Sequence, residues 1–177
     1  AFKSDYDNLL GRCRASDSDC QVGQEFSGGS VEVSGIEVTG QGQYDLSDKM
    51  VLTSQFNYTY SESKFKSSFF SRFSQWGLVN EGDELPYVPK HAGRWQIGLE
   101  SDLWALDLAV KYQHGMRETP GLGDVAEGLH TNNITTIDVA ATWFINEDVD
   151  VKILARNLTD DSSIVSHRPY GARPNLP

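Results

Sequence analysis

Hydrophobic and polar residues alternate along most of the chain. Every second residue from Met50 to Tyr60 is largely apolar, whereas the residues between them are largely polar. The same alternation recurs in four later segments, at residues 94–100, 104–113, 136–145 and 149–156. A period of two sustained over about ten residues is typical of β-strands and not of helices. The pattern predicts an all-β chain whose strands have one apolar and one polar face.

The alternation changes phase in the stretch that begins at Val31. Val31 and Val33 lie on one parity, and the apolar residues from Ile36 to Tyr44 lie on the other. A β-bulge at Ser34-Gly35 would restore a single apolar face, because glycine tolerates the backbone angles of a bulge. We therefore expect a bulged strand here. Residues 1–10 fit the end of a further strand.

The connections between the predicted strands alternate in length. Tight turns fall at residues 46–49, 101–103 and 146–148, and long connections at 11–29, 63–90, 115–133 and from Thr159 onward. Short turns at one rim and long loops at the other are typical of bacterial outer-membrane barrels. Tilted strands of about ten residues also suit the thickness of a bilayer. The sequence thus predicts the wall of an antiparallel transmembrane β-barrel.

Aromatic residues near the strand ends distinguish this barrel from a soluble β-sandwich. Tyr58, Tyr60 and Tyr112 approach long loops, whereas Trp104 and Trp143 lie next to short turns. Rings at these two levels match the aromatic girdles at the two membrane interfaces. A sandwich core would also use aromatic residues, but sandwiches seldom combine such long strands with such unequal loops.

Composition and charge narrow the class of protein further. The chain has 177 residues, of which 15 are basic and 25 are acidic, so its formal net charge is −10. This charge argues against a general nucleic-acid binder, and no apolar run is long enough for a membrane-spanning helix. The chain begins at Ala1 without methionine, signal peptide or lipidation motif, so we expect a processed or truncated product.

The two cysteines, Cys13 and Cys20, lie among polar, turn-forming residues. Their spacing does not fit a CxxC redox or zinc pair, and no histidine is close to them in sequence. A local disulfide is the favoured interpretation, with two free thiols as the alternative. In an oxidising compartment the bond would contribute about 2.5 kcal/mol on a chain-entropy estimate.

Catalytic and metal-binding motifs are missing from the sequence. No Gly-x-Ser-x-Gly, HExxH or phosphate-binding glycine loop is present, and Ser166 and His167 are too local to form a catalytic constellation. His114 and His130 have no second histidine or cysteine at ligand spacing, so we interpret them as exposed loop residues. The sequence predicts neither an enzyme nor a resident metal or cofactor.

Four short motifs are similar in order and spacing to those of one family. They are Gly35-Ile36-Glu37, the run from Leu85 to His91, Asn157-Leu158-Thr159-Asp160, and the run from Arg168 to Pro174. Together they cover nearly the whole chain, which resembles the C-terminal barrel portion of TonB-dependent outer-membrane receptors. The arginine-rich end is similar to the ferric-citrate and siderophore branch.

The resemblance implies a barrel of 22 strands around a plug. Residues 1–177 would supply seven consecutive strands, ascending from Ala1, Met50, Trp104 and Val149 and descending from Val31, Ala92 and Thr135. The plug, the final strand and the segment that engages TonB would lie outside this sequence. The two free edges would then pair with the remaining strands of the same receptor.

The resemblance also implies active, TonB-dependent import of a ferric chelate, either a siderophore or ferric citrate. Iron would be present only as part of the cargo, and the lipid and lipopolysaccharide of the outer membrane would surround the barrel. A passive porin is the main alternative, although it should lack the motifs that begin at Leu85 and Arg168. An outer-membrane barrel enzyme would need a serine or Asp/His constellation at one rim.

Cationic residues in the long loops are the candidates for binding an anionic chelate. Arg117, His130, Arg168 and Arg173 all fall in long loops, and the planar fork of arginine suits carboxylates. Local pairing of Arg117, and pairing of the two later arginines with loop carboxylates, are the alternatives.

Trp76 belongs to an aromatic loop segment, with Phe69, Phe70 and Phe73 close to it in sequence. It is a candidate for contact with a siderophore. Packing of the loop against itself is the alternative interpretation.

Overall fold

The computed structural model describes residues 1–13, 21–73, 76–168 and 171–174. In chain order their strands are β1 Phe2–Tyr6, β2 Leu10–Arg12, β3 Glu25–Ser27, β4 Val31–Ser47, β5 Met50–Phe65, β6 Phe69–Phe70, β7 Leu78–Val79, β8 His91–Ser101, β9 Trp104–Gln113, β10 Ile134–Asn146, β11 Val149–Ala155, β12 Ile164–Arg168 and β13 Gly171–Pro174. These residues include no helix that could cross a membrane.

Seven of the strands form one antiparallel sheet in the order β1-β4-β5-β8-β9-β10-β11. Each of them pairs with the next in this order, as successive hairpins require. The prediction of seven antiparallel strands is confirmed. The sheet is open, with β1 and β11 at its edges, and the six other strands form three small hairpins within the long connections.

Three tight turns join the strands at one end of the sheet, which we call the turn end. In each of them a side chain accepts a backbone hydrogen bond: Ser47 Oγ from the amide of Lys49 at 3.3 Å, Ser101 Oγ from the amide of Trp104 at 3.3 Å, and Asn146 Oδ1 from the amide of Asp148 at 3.0 Å. Such bonds stabilise local turns. The long connections lie at the opposite, long-loop end, so the predicted asymmetry of the connections is confirmed.

The predicted bulge at Ser34-Gly35 is wrong. The register of β4 with β5 runs without interruption from Val31 opposite Phe65 to Asp45 opposite Val51. The apolar pattern changes phase because the strand continues into the loop layer, where Val31 is buried among loop residues. Gly35 is required for a different reason: the ring of Phe2 and the carbonyl oxygen of Tyr60 occupy the space that its Cβ would need.

The apolar face of the sheet is not covered by any described part of the chain. Trp95 and Ile153 on this face are 48% and 69% exposed. The only cluster of buried hydrophobic residues lies instead in the loop layer of the described chain, around Val31, Phe65 and Val79. A soluble sandwich would cover the apolar face with a second sheet, whereas a membrane barrel leaves it to lipid.

The polar face lines an open cavity of about 1440 Å³, to which Gln55, Arg94 and Lys111 contribute. Ser54 is a polar exception on the apolar face. Its Oγ accepts a hydrogen bond from the indole Nε1–H of Trp95 on the adjacent strand at 2.9 Å. Because hydrocarbon offers no partner to an indole N–H, this serine satisfies a donor that would otherwise be unpaired.

Aromatic residues mark both limits of the apolar face. Trp104 and Trp143 are directly opposite each other at the turn end, and Tyr58 and Tyr60 lie near the long-loop end of β5. Beyond Tyr60 the same face becomes charged, beginning with Glu62. The apolar band therefore ends at the level of the tyrosines, as expected at a membrane interface.

Candidate functional site

The long connections fold into a layer with its own apolar core. Leu9, Phe69 and Trp76 pack around the buried cluster of Val31, Phe65 and Val79. Because these residues come from different connections, the core joins the first two long loops and the upper part of β4 and β5. This loop layer is the candidate site for recognising a ligand.

Phe26 and Phe73 bring the first two long loops together, with ring centroids 4.9 Å apart. Trp76 lies edge-on to Phe73 and Phe65, at centroid distances of 5.1 and 6.1 Å. The position of Trp76 agrees with the loop-packing alternative. Contact between a ligand and the remaining exposed part of its ring stays a prediction.

Arg117 connects the second and third long loops through an ion pair. Its side chain is only 8% exposed, and its Nε donates to Glu84 Oε2 at 3.0 Å. Its Nη2 donates to the carbonyl oxygen of Gly123 at 2.9 Å. Lys90 Nζ approaches the other carboxylate oxygen of Glu84 at 2.6 Å. The three charged side chains form a bridge between loops, and the guanidinium of Arg117 is engaged within it.

Glu84 is the anionic centre of this bridge. Burial raises the pKa of its carboxyl, but hydrogen bonds and charge interactions with Lys90 and Arg117 outweigh burial and hold the pKa below its ordinary value. Backbone hydrogen bonds reinforce the contact, because the amide of Tyr87 donates to the carbonyl of Arg117 and the amide of Glu84 to that of Gly121, both at 2.9 Å. Sequence reasoning did not identify Glu84, since its partner is distant along the chain.

The other predicted cationic residues occupy different parts of the loop layer. His130 lies opposite Arg117 in an isolated β-bridge and is exposed, so the structure brings these two candidates together. Arg168 and Arg173 lie on the paired strands β12 and β13, but their side chains fall outside the described part of the structure. Their ligand role stays a prediction.

Cys13 follows β2 and is 2% exposed. Its predicted disulfide partner, Cys20, lies outside the described residues. The Cys13–Cys20 disulfide therefore stays a prediction.

The motif that begins at Asn157 forms a side-chain cap on β10. The amide of Asn157 donates to Asp138 Oδ1 at 2.9 Å, and Thr159 Oγ1 donates to the carbonyl of Thr135 at 2.8 Å. The amide of Thr135 donates to Asp161 Oδ2 at 2.6 Å. Side chains thus replace a neighbouring strand at this point, which explains why this combination of polar residues follows β11.

A group of basic residues follows the polar face across adjacent strands. Arg94 and Lys111 are directly opposite each other on β8 and β9, and Lys152 and Arg156 contribute to the same cavity. Asp138 lies 3.1 Å from Lys111. Four basic side chains and two acidic ones, Asp107 and Asp138, therefore line this cavity, so positive charge is in excess in its lining. The alternation in the sequence already places these basic residues on the polar face, but it does not show that they lie close together.

An antiparallel sheet with an uncovered apolar band, aromatic limits and unequal loops defines the wall of an outer-membrane β-barrel. The model of one family, described as TonB dependent receptor-like, beta-barrel, matches residues 1–158. The chain belongs to this family, which places it in the bacterial outer membrane.

A solved structure is similar to the chain: the closed form of the ferric-catecholate import receptor Fiu from K12 E. coli, with 20% sequence identity and a TM-score of 0.67. The match covers 99% of this chain and 22% of that chain, so the chain spans about a fifth of the length of its neighbour. At this identity the likeness supports the fold alone. No curated protein matches the chain.

Proposed function

We propose that the chain forms part of the barrel wall and the extracellular loops of a transporter that imports a ferric chelate in a TonB-dependent manner. The observation that carries the proposal is the uncovered apolar band beside a polar, concave face, with a folded loop layer at one end only. Membership of the TonB-dependent receptor family supports the same assignment.

Residues 1–177 are the C-terminal part of the barrel in this proposal. The edge strands β1 and β11 have backbone groups that hydrocarbon cannot satisfy, so further strands of the same receptor pair with them. The plug and the segment that engages TonB are supplied by other parts of that receptor. Lipid and lipopolysaccharide contact the apolar face.

The basic group on the polar face supports a plug inside the barrel. Arg94, Lys111, Lys152 and Arg156 line the cavity, and Asp107 and Asp138 in the same lining offset only part of their charge. We assign this face to contact with acidic residues of the plug. A porin with a water-filled lumen would leave these charges to solvent.

The cargo in this proposal is an iron chelate, a siderophore or ferric citrate, with iron entering only as part of it. The similar receptor Fiu is described as a ferric-catecholate import receptor. His130, Arg168 and Arg173 are the residues that we assign to an anionic chelate. Arg117 and Trp76 hold the loop layer in shape and contribute to binding from there. No catalytic role is assigned to any residue.

Uptake measurements test the proposal. Cells that express the complete receptor should accumulate radiolabelled iron from a chelate, and deletion of TonB should abolish this accumulation. His130→Gln should reduce uptake at limiting chelate, whereas Arg12→Gln, which removes an exposed loop cation paired with Glu25, should leave uptake unchanged. Uptake that persists without TonB would favour the porin and contradict the proposal.

A further inference from the structure

Two histidines that are separated in sequence lie side by side at the long-loop end of the apolar face. His91 begins β8, His114 follows β9, and the amide of His114 donates to the carbonyl of His91 at 2.8 Å. Their ring centroids are 5.7 Å apart, and the ring planes are inclined at 79°. Strand pairing creates this neighbourhood, which is why sequence spacing did not predict it.

A tyrosine hydroxyl engages the Nδ1 atom of each ring. Tyr58 Oη lies 2.7 Å from Nδ1 of His91, and Tyr112 Oη lies 3.3 Å from Nδ1 of His114. When Nδ1–H donates to the hydroxyl, the lone pair of the imidazole is on Nε2. No described residue forms a hydrogen bond with Nε2 of either histidine. A histidine held through one nitrogen by an oxygen acceptor is typical of metal sites.

Tyr60 completes the surroundings of His91. Its ring centroid is 5.2 Å from that of His91, and its hydroxyl donates to the carboxylate of Glu62. Glu62 is also the residue at which the apolar face becomes charged. The two histidines therefore lie at the level of the membrane interface, where amphipathic rings are common and water and ions have access.

We propose that His91 and His114 form a binding site for a divalent transition-metal ion, with Cu²⁺ the tightest ligand. Two rings that each bind one ion through a nitrogen at about 2.1 Å have centroids on the order of 5 to 6 Å apart. The observed 5.7 Å agrees with this geometry. Imidazole suits Cu²⁺, Ni²⁺ and Zn²⁺, among which Cu²⁺ binds most strongly.

The site has two protein ligands. No group of three histidine, cysteine or acidic residues in the described part of the chain is placed to hold a metal ion, so water completes the coordination. Mg²⁺ and Ca²⁺ prefer oxygen ligands and are excluded by this donor set. The site lies on the apolar face, opposite the cavity, and so it is independent of the chelate that we propose as cargo.

Electron paramagnetic resonance of added Cu²⁺ tests the proposal on the complete receptor in detergent micelles. One equivalent should give hyperfine splitting from two nitrogens. His91→Gln and His114→Gln should each weaken Cu²⁺ binding at least about tenfold and reduce the splitting to one nitrogen. His130→Gln is the matched control, since it removes an exposed loop histidine that is not part of this pair, and Cu²⁺ binding should not change. Excess Mg²⁺ should not displace Cu²⁺.

Three results would contradict the proposed site. They are the absence of bound Cu²⁺ in the wild-type receptor, an equal affinity for Cu²⁺ in the wild type and both histidine variants, and displacement of Cu²⁺ by Mg²⁺. The paired substitutions Tyr58→Phe and Tyr112→Phe provide a second measurement in case a histidine variant does not fold. They keep every ring but remove the hydroxyl partners, so Cu²⁺ binding should weaken about tenfold. Unchanged affinity in this double variant would also contradict the proposal.

Discussion

Replacement of Ser54 by alanine isolates one hydrogen bond within the membrane-facing surface. Ser54 Oγ accepts the indole N–H of Trp95 at 2.9 Å, and both residues lie on the apolar face. Ser54→Ala removes the acceptor and leaves the ring in place. The indole N–H then faces hydrocarbon without a partner, because water does not reach the middle of the bilayer.

The expected loss of stability follows from the cost of an unsatisfied donor. A buried group that loses its partner costs about 1 to 3 kcal/mol. Measured couplings between hydrogen-bonded side chains within membranes average about 0.6 kcal/mol and reach about 1.7 kcal/mol. We therefore expect Ser54→Ala to destabilise the barrel by about 1 to 2 kcal/mol, with a coupling to Trp95 of about 0.6 to 1.7 kcal/mol.

Equilibrium unfolding of the complete receptor in lipid vesicles, with a denaturant titration, measures this loss. A cycle of Ser54→Ala, Trp95→Phe and the double variant separates the hydrogen bond from the packing of the ring. Ser61→Ala is the matched control. It makes the same chemical change on the polar face of the same strand. No described residue forms a hydrogen bond with the Ser61 side chain, so this substitution should cost less than about 0.5 kcal/mol.

A coupling close to zero between the two substitutions would refute the reasoning. So would a loss at Ser61 equal to that at Ser54, because the polar face would then behave like the apolar one. Either outcome would mean that the Trp95 indole finds another partner or that this face is hydrated.

Three further predictions concern the faces of the sheet, the loop bridge and the cap. Leu108→Arg, on the apolar face, should destabilise the barrel by about 2 to 4 kcal/mol at the bilayer midplane, whereas Asp107→Arg, on the polar face, should cost much less. Equal losses in vesicle unfolding would contradict the assignment of the apolar face to lipid. The pKa of Glu84 is held below its ordinary value of 4.5. The stabilisation of the loop bridge by its carboxylate is therefore present above pH 4.5 and is lost as the pH falls through the lowered pKa. Protection of the Tyr87 amide against exchange, relative to its intrinsic rate at each pH, should therefore fall at low pH in the wild type but not in Glu84→Gln. Identical pH profiles of protection in the two proteins would show that Glu84 does not stabilise the bridge. Asn157→Ala should cost about 1 to 2 kcal/mol because the segment that caps β10 loses the hydrogen bonds of the Asn157 side chain to Thr159 and Asp161. Unchanged exchange of the Asp161 amide, which donates to Asn157 Oδ1 at 3.1 Å, would show that the cap does not depend on Asn157.

The alternation of residues determined the strands and their two faces. Side chains of a strand point alternately to opposite sides, so a pattern such as that from Met50 to Tyr60 directly reports which side is apolar. The alternation of short and long connections likewise determined the order of the hairpins. These features are local in sequence, and the structure reproduces them in the seven-stranded sheet.

The tertiary structure decided which distant residues meet. The pattern suggested a bulge at Ser34-Gly35, but the phase changes because the loop core covers Val31, and that core exists only after several loops have packed together. The partner of Arg117 is Glu84, and the neighbour of His91 is His114. Period-two patterning describes which face a residue occupies, whereas strand register and loop packing determine what lies beside it.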